Sequence, residues 1–297
     1  MVSTQTAAKT SHSFTASDGT PLRADFYAPT ADSEGWAPGG LVVLLHGYCE
    51  HRGRYGHVAE HLVSHGYTVI VGDLRGHGES GGERAFVNRF ADYLDDVTAL
   101  LSEGQAQDAA ARRARNAPQP KAPLLVSHSM GGLVALEYVL AHPSAFRAVA
   151  LSSPFLGLRI AVPAWKRGLG LVASMVRPTL RLPNELSANA LSHEAAVCRA
   201  YETDPLVTHE ATARWFTEAM AAQADVRTRA GRIQIPALFM CAGDDQIVDT
   251  PTAQRIFDRV GSRDKTFTAY PGLFHELFNE TSRDRVLTDL SNWLKDR

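Results

Sequence analysis

The sequence predicts a doubly wound, mostly parallel α/β sheet that is interrupted by a helical insertion. Short, continuous apolar runs recur along the chain, as expected of strands buried on both faces of a parallel sheet. Segments with helical apolar spacing alternate with these runs. The alternation lapses over roughly residues 155–233. We therefore expect an α/β core made of residues 1–154 and 234–297, with residues 155–233 inserted as a helical cap.

The first elements are predicted to be a hairpin followed by a β-α-β unit. Asp18-Gly19 supplies a tight turn between two β-like runs from His12 to Tyr27. The runs "GGLVVLLHG" and "YTVIVGD" are predicted strands, and the helix between them ends at Gly66. This order places two parallel strands early in the chain.

A second helix is predicted from helical apolar spacing after residue 89 and is expected to end near Gly104. The following "QAQDAAARRARNAPQPKAP" lacks a clear apolar face and ends Pro-rich, so we predict a frayed helix or an exposed connector. The runs "PLLVS", "FRAVALSS", "PALFMCAG" and "KTFTAY" complete the predicted strands. Spaced apolar residues from Val286 to Leu294 predict an amphipathic C-terminal helix.

Composition excludes several classes of protein. A formal net charge of −2 at pH 7 argues against a nucleic-acid partner. Cys49, Cys198 and Cys241 are widely separated, which predicts neither a disulfide framework nor a metal site. No apolar run approaches the length of about 20 residues that spans a membrane, and no signal peptide is recognisable. We expect a cytoplasmic protein.

Ser129 lies where an apolar strand meets a helix, in "LLVSHSMGG". A sharp turn at such a junction lifts a nucleophilic hydroxyl above the sheet. The pentapeptide departs from the usual G-x-S-x-G pattern, because Ser127 stands where the first glycine is expected, while Gly131 satisfies the second position. Ser129 is therefore a candidate nucleophile; the alternative is an ordinary helix N-cap.

The base and acid that a serine nucleophile needs also follow predicted strands. Asp245 comes directly after "PALFM", at the strand end where α/β sheets place their sites. Asp244 and Asp249 are alternatives, and any of the three could cap a turn or helix instead. His275 follows the last strand. The order Ser129, Asp245, His275 is the one expected of this architecture.

Two backbone amides are candidates for stabilising the oxyanion of acyl transfer. One belongs to Met130, the residue after the nucleophile, and the other to Tyr48, in the loop after the strand "LVVLL". Gly47 allows the chain to turn tightly and aim the Tyr48 amide inward. The alternative for His46-Gly47 is a plain turn that ends a strand.

Five motifs in order, "HGYCEHRGRY", "DLRGHGES", "SHSMGG", "GDDQIVD" and "FHELFNE", resemble the monoacylglycerol lipase and lysophospholipase branch of the α/β-hydrolase family. The cap segments "LSHEAAVCRAYETDPLV" and "TARWF" are similar to that branch too. The resemblance implies that a lipophilic ester enters beneath the cap, acylates Ser129 and is released by water. It also implies Asp245 and His275 as triad partners, with no cofactor.

The resemblance further places Glu50 and Arg54 near the glycerol end of the substrate, where they could hold hydroxyls. The alternative is an ion pair that stabilises the loop. Two positions depart from the family pattern. Phe278 stands where the mammalian lipase has a second histidine beside the glycerol, and Cys49 stands where glycine is common. These departures bear on the substrate and not on the reaction class.

The first half of the predicted cap is both apolar and basic, with no acidic residue before Glu185. The basic residues are Arg159, Lys166, Arg167, Arg177 and Arg181. Basic side chains beside apolar surface suit contact with anionic lipid, so we expect peripheral membrane contact through the cap. The alternative is that these are ordinary solvated cations, with the apolar residues packing the cap onto the core.

The sequence thus predicts a serine esterase that acts on monoacylglycerols or similar lipid esters. One alternative is a lysophospholipase, thioesterase or peptidase with the same triad. Another is a ligand-binding receptor built on a hydrolase fold.

Overall fold

The computed structural model describes residues 7–30, 39–115, 117–118, 121–159, 162–184 and 186–297. Its strands are β1 (Ala7–Thr15), β2 (Pro21–Pro29), β3 (Gly40–Leu45), β4 (Tyr67–Asp73), β5 (Leu124–His128), β6 (Ala148–Ser152), β7 (Arg181–Pro183), β8 (Glu210–Thr212), β9 (Ala237–Ala242) and β10 (Lys265–Tyr270). Its helices are α1 (Gly56–Ser64), α2 (Asp92–Arg113), α3 (Met130–Ala141), α4 (Ala164–Val176), α5 (Ala195–Thr203), α6 (Ala213–Arg229), α7 (Thr250–Arg259) and α8 (Arg283–Lys295).

The main sheet has the strand order β1-β2-β4-β3-β5-β6-β9-β10. The strands from β4 to β10 in this order run parallel, and β2 is antiparallel to both of its neighbours. Gly19, at a φ of 85°, turns the chain between β1 and β2. The predicted hairpin and the mostly parallel sheet are confirmed.

Helices cover both faces of this sheet. The residues of β3 alternate between the two faces. On one face Val42 and Leu44 pack with residues of α1 and α8. On the other face Leu41, Val43 and Leu45 pack with residues of α2 and α3. A strand that is buried on both faces needs apolar residues at every position. This explains the continuous apolar runs in the sequence.

The predicted end of α2 near Gly104 is wrong, because the helix continues to Arg113. A side chain at Gly104 would place its Cβ 2.7 Å from Ile70 Cγ2, so the glycine allows α2 to pack closely on the sheet. In the following turn, Asp108 is buried and accepts hydrogen bonds from the Thr68 hydroxyl and from Arg112 Nε. Beyond Gly104 the buried side of α2 is therefore formed by polar groups that are hydrogen-bonded to each other, and the apolar pattern does not reveal it.

The chain between β6 and β9 leaves the main sheet, and β6 pairs directly with β9. This segment contains helices α4, α5 and α6 and the short antiparallel pair β7-β8. Helix α6 returns the chain to the core, where Trp215, Ala219 and Val226 join the cluster that includes α3. The boundaries 155 and 233 of the cap stay a prediction.

Candidate active site

Ser129 stands between β5 and α3 in a strained backbone conformation, with a φ of 51° and a ψ of −116°. Positive φ is unfavourable for a residue with a side chain and costs on the order of 1–3 kcal/mol. The backbone of Ser129 is held on both sides, since its amide donates to Ser152 O at 3.0 Å and its carbonyl accepts from Phe155 N at 2.9 Å. The hydroxyl makes no capping bond to α3.

The residues two positions before and after Ser129, Ser127 and Gly131, are both small. A Cβ on Gly131 would lie 2.5 Å from the carbonyl oxygen of His46, so only glycine fits there. Ser127 lies within β5 between Leu45 and Leu151 of the adjacent strands. The Ser127 hydroxyl is buried and is not held by any hydrogen bond among the described residues.

His275 connects Ser129 to Asp245. Its Nε2 is 2.9 Å from Ser129 Oγ, and its Nδ1 is 2.8 Å from Asp245 Oδ2. All three side chains are buried. Of the alternative acids, Asp244 is exposed, and Asp249 caps α7 by accepting from Thr252 N at 3.0 Å. The structure thus brings together the three residues that the sequence singled out.

The Asp245 carboxylate is fixed by its remaining contacts. Its Oδ1 accepts from the amides of Ile247 and Val248, at 2.8 and 2.9 Å. Its backbone carbonyl accepts from Arg159 Nη1 at 2.8 Å. Burial tends to raise the pKa of this carboxyl, but His275 and the two amides hold the pKa below its usual range.

His275 has a pKa above its ordinary value near 6.5. Burial alone would lower this pKa, because it penalises the charged imidazolium, but the adjacent Asp245 carboxylate outweighs burial. The neighbouring His128 has the Ser152 hydroxyl, 3.2 Å from its Nδ1, in place of a carboxylate, and burial lowers its pKa to about 3. Of these two adjacent histidines, His275 is therefore the one suited to exchange protons near neutral pH.

The loop between β3 and the following helical turn lies against the nucleophile. A Cβ on Gly47 would come within 3.2 Å of both Ser129 Cβ and His128 Cδ2. The Gly47 carbonyl accepts from His46 Nδ1 at 2.6 Å, and His46 Nε2 accepts from Leu74 N at 3.0 Å. On the other side of Ser129, Met130 begins α3, where first-turn amides have no carbonyl partner within the helix.

Glu50 and Arg54 form part of a buried ion-pair network. Glu50 Oε1 accepts from Gly47 N and the Tyr55 hydroxyl, both at 2.6 Å, and Oε2 accepts from Arg54 Nη1 at 2.6 Å. Arg54 also donates to both oxygens of Glu276, at 2.7 and 2.8 Å. Every oxygen of Glu50 therefore has a protein partner, which matches the ion-pair alternative.

Glu276 is a residue that the sequence analysis missed. It links the His275 loop to the loop after β3, and its Oε2 also accepts from Asn279 Nδ2 at 2.9 Å. The motif "FHELFNE" contained Glu276 and Asn279, but Arg54, the partner of Glu276, is 222 positions away in the chain. Phe278, in the same motif, is buried in the core cluster with α8.

Among the described residues, no group of three or more histidine, cysteine or acidic side chains is arranged to hold a metal ion. In the same part of the chain, no helix has both the length and the apolar composition needed to cross a bilayer.

Comparisons with known proteins agree with this architecture. A family model described as serine aminopeptidase, S33, matches residues 37–282. A monoacylglycerol lipase of Mycolicibacterium smegmatis is 32% identical over 288 residues, which cover 96% of this chain and 97% of that protein. A phospholipase of Bacillus subtilis is 33% identical over 84% of this chain and 92% of its own length.

Solved structures show the same fold. A monoacylglycerol lipase of Paleococcus ferrophilus superposes with a TM-score of 0.78 at 25% identity, covering 97% of this chain and 99% of that chain. A monoglyceride lipase of Saccharomyces cerevisiae gives 0.82 at 21% identity, covering 100% and 97%. The predicted fold class and resemblance are confirmed. The chain therefore belongs to the serine aminopeptidase S33 family of α/β-hydrolases, in the branch of lipases and esterases that includes monoacylglycerol lipases.

Proposed function

We propose that the chain hydrolyses carboxylic esters of lipophilic acyl chains, monoacylglycerols or similar lipid esters, through an acyl-enzyme on Ser129. The observation that carries this proposal is the buried hydrogen-bonded series of Ser129, His275 and Asp245. The monoacylglycerol lipases among the relatives support the substrate class. The strained backbone at Ser129 supports a functional role, because such strain concentrates at active sites.

In the acylation step, Ser129 donates its proton to His275 Nε2 as its Oγ attacks the ester carbonyl carbon. Asp245 accepts the Nδ1 proton of His275, which leaves Nε2 free as the acceptor and stabilises the imidazolium that forms. His275 then protonates the departing alcohol. Water attacks the acyl-enzyme in the second step, with His275 again as base, and the carboxylic acid leaves.

The oxyanion formed in each step requires donors that are already in place. We assign these donors to the backbone amides of Met130 and Tyr48. The position of Met130 at the start of α3 supports this role, since the N-terminal end of a helix favours negative charge. The close approach of Gly47 to Ser129 supports the assignment of Tyr48, the next residue in the loop.

The assignment of Glu50 and Arg54 to the alcohol of the substrate stays a prediction. Their contacts favour the alternative, an ion pair that holds the loop after β3 to the His275 loop. Burial tends to raise the pKa of Glu50, but Arg54 beside it keeps the pKa below its usual range. Glu50 is thus an anion that the protein itself already neutralises.

A lysophospholipase is the second candidate function. The observation in its favour is the Bacillus subtilis phospholipase, which matches most of the chain at 33% identity. The same triad serves both reactions, so the distinction lies in the alcohol that leaves. Turnover of monoacylglycerols, lysophospholipids, thioesters and aminoacyl amides of matched chain length separates these substrates. Covalent labelling without turnover of any of them would instead indicate a receptor.

We also propose that α4 contacts anionic membranes. Helix α4 packs on α6 through its inner face, where Ser174 Oγ lies 2.8 Å from Thr217 Oγ1. Its outer apolar side chains are more than half exposed: Trp165, Leu169, Leu171, Val172, Met175 and Val176. Arg167 and Arg177 lie exposed on the same helix and at its end. Arg159 and Arg181, by contrast, already bind Asp245 O and Glu210.

Replacement of the nucleophile tests the proposed reaction directly. We expect Ser129→Ala to lower the turnover of a p-nitrophenyl ester by several orders of magnitude, because removal of one triad member disables the whole unit. The fold should be retained, since the Ser129 hydroxyl makes no capping bond. Circular dichroism and fluorophosphonate labelling of both proteins provide the controls. Turnover within about threefold of wild type would refute Ser129 as the nucleophile.

A further inference from the structure

The loop of residues 46–50, here called the oxyanion loop, is bound by the core on one side and by the cap on the other. We propose that the cap positions the Tyr48 amide for the oxyanion, with Trp215 and Cys49 as the positioning residues. This inference rests on the ester hydrolysis proposed above. It makes the cap part of the machinery that stabilises the transition state, in addition to any role in substrate entry.

The core holds the backbone of the oxyanion loop at Gly47. Gly47 N donates to Glu50 Oε1 and Gly47 O accepts from His46 Nδ1, both at 2.6 Å. The carbonyl of Gly47 belongs to the same peptide group as the Tyr48 amide, and a trans peptide directs the two in opposite senses. The orientation of the Tyr48 amide therefore depends on the Gly47 carbonyl before it and on the residues after it.

Cys49, the residue after Tyr48, is bound by the cap. Its φ of 65° lies in the left-handed region, which is unfavourable for a residue with a side chain. Its carbonyl accepts from Thr208 N at 3.0 Å. Its thiol donates to Glu210 O at 3.4 Å and accepts from Asn184 Nδ2 at 3.4 Å. These three contacts to cap residues hold Cys49 in a conformation that it would not adopt alone.

The side chain of Tyr48 is bound by the cap as well. Its ring stacks on Trp215 of α6, with ring centroids 3.4 Å apart and an angle of 15° between the planes. The Tyr48 hydroxyl donates to Ala85 O at 2.9 Å, and Thr212, which caps α6, donates its hydroxyl to the same carbonyl at 2.8 Å. Trp215 itself is buried. The start of α6 and the Tyr48 ring therefore share one anchoring point on the core.

These contacts leave the Tyr48 amide with little freedom of its own. The ring of Tyr48 follows Trp215, the backbone of Cys49 follows the β7-β8 side of the cap, and the Gly47 carbonyl stays on the core. A change in the position of Trp215 thus rotates the peptide group between Gly47 and Tyr48, while the Gly47 side and the Cys49 backbone stay fixed. Because oxyanion donors act over distances of about 3 Å, a small rotation is enough to weaken catalysis.

The test is the variant Trp215→Leu, which removes the aromatic stack but keeps an apolar side chain. We expect kcat to fall about tenfold to hundredfold, which approaches the loss of a whole oxyanion donor. The KM for the ester should change little. Trp215→Phe, which retains a stacking ring, should recover most of the lost kcat. Active enzyme is counted by complete titration with a fluorophosphonate, so that a smaller folded fraction is not mistaken for slower turnover.

A second measurement separates positioning from a general structural effect. An alkyl trifluoromethyl ketone serves as the inhibitor. Ser129 Oγ attacks its carbonyl carbon and passes its proton to His275. The resulting oxyanion occupies the same site as the oxyanion of ester hydrolysis. Its inhibition constant should rise in parallel with the fall in kcat for Trp215→Leu. Phe216→Leu, a change at the adjacent aromatic residue of α6, should leave both values within about threefold of wild type.

Cys49→Gly provides an independent variant should Trp215→Leu fail to fold. Glycine tolerates the positive φ but lacks the thiol contacts to the cap, so kcat should fall and the inhibition constant should rise together. Unchanged values in the folded variants would overturn the proposed role of the cap. If the wild-type protein neither hydrolyses esters nor reacts with the fluorophosphonate, the proposed function itself fails, which is a different result.

Discussion

At the scale of single residues, Ser129 and Asp245 are both hydrogen-bonded to one histidine, His275. Two backbone amides donate to Asp245 Oδ1, and this orients the other carboxylate oxygen, Oδ2, toward His275. Order along the chain and position after strands were enough to predict these residues. The choice between Asp245 and Asp249 was open in the sequence, because both follow the same strand and either could cap α7. The loop after β9 turns Asp249 toward Thr252 N and leaves Asp245 beside His275, which favours Asp245.

The pH dependence of hydrolysis should report the influence of Asp245 on His275. In the proposed mechanism His275 acts as a base only when neutral, so we expect activity to rise as pH increases through its pKa, which Asp245 keeps above about 6.5. In Asp245→Asn, burial is left as the main influence and lowers this pKa. We expect the acidic limb of kcat/KM to move to lower pH, and the plateau to fall by three to four orders of magnitude.

The matched control for this prediction is Asp244→Asn. Asp244 is the adjacent residue and carries the same charge, but it is exposed. Its profile of kcat/KM against pH should match that of the wild type. An acidic limb that keeps its midpoint in Asp245→Asn would contradict the assigned effect of Asp245 on His275.

At the scale of elements, the strands were predictable because each carries its own apolar pattern. The end of α2 was not, since the burial of Asp108 depends on Thr68 in β4, 40 residues earlier. Contacts between loops are harder still. Glu276 and Arg54 are separated by most of the chain, and no local pattern relates one to the other. Only the fold, which brings the loops after β3 and β10 to the same sheet edge, makes them neighbours.

The variant Arg54→Met tests whether this inter-loop ion pair is structural or contacts substrate. Methionine keeps an apolar stem but leaves the buried carboxylates of Glu50 and Glu276 without their cation. We expect the free energy of unfolding to fall by about 3–5 kcal/mol, as for other broken buried ion pairs. Urea denaturation measures this loss.

The substrate question is answered by a ratio of activities in the same variant. We compare kcat/KM for a monoacylglycerol with that for the methyl ester of the same fatty acid. If Arg54 acts only within the ion-pair network, both rates change together and their ratio stays constant. A selective fall of about tenfold or more for the glycerol ester would show that Arg54 holds the alcohol, as the family resemblance implied.

At the scale of the whole molecule, the two halves of the segment between β6 and β9, the predicted cap, differ in what they contact. The second half binds the loops after β3 and β10: Leu191 O accepts from Glu276 N at 2.8 Å, and Cys49 O accepts from Thr208 N. The first half, α4, packs on α6 and presents exposed apolar side chains on its other side. This segment therefore combines a part that contacts the loops of His275 and Gly47 with a part whose apolar side chains are exposed.

Vesicle co-sedimentation at low salt tests contact between α4 and membranes. We expect the protein to bind vesicles that contain anionic phosphatidylserine more strongly than vesicles of neutral phosphatidylcholine.

Met175→Ser with Val176→Ser removes two highly exposed apolar side chains, and should weaken binding by about tenfold or more, since burial of one such side chain contributes about 1.5–3 kcal/mol. Arg177→Gln should weaken binding to anionic vesicles by about fivefold, from the loss of about 1 kcal/mol per cation near the surface.

The control is Lys295→Gln, which removes an exposed positive charge from α8, outside the cap. Lys295→Gln has the same effect on net charge as Arg177→Gln, so a purely global attraction would make the two variants equal. A specific membrane face on α4 requires Arg177→Gln to bind anionic vesicles more weakly than Lys295→Gln. Equal partitioning of the wild-type protein onto anionic and neutral vesicles would exclude the electrostatic part of this proposal, and the absence of binding to both would exclude it entirely.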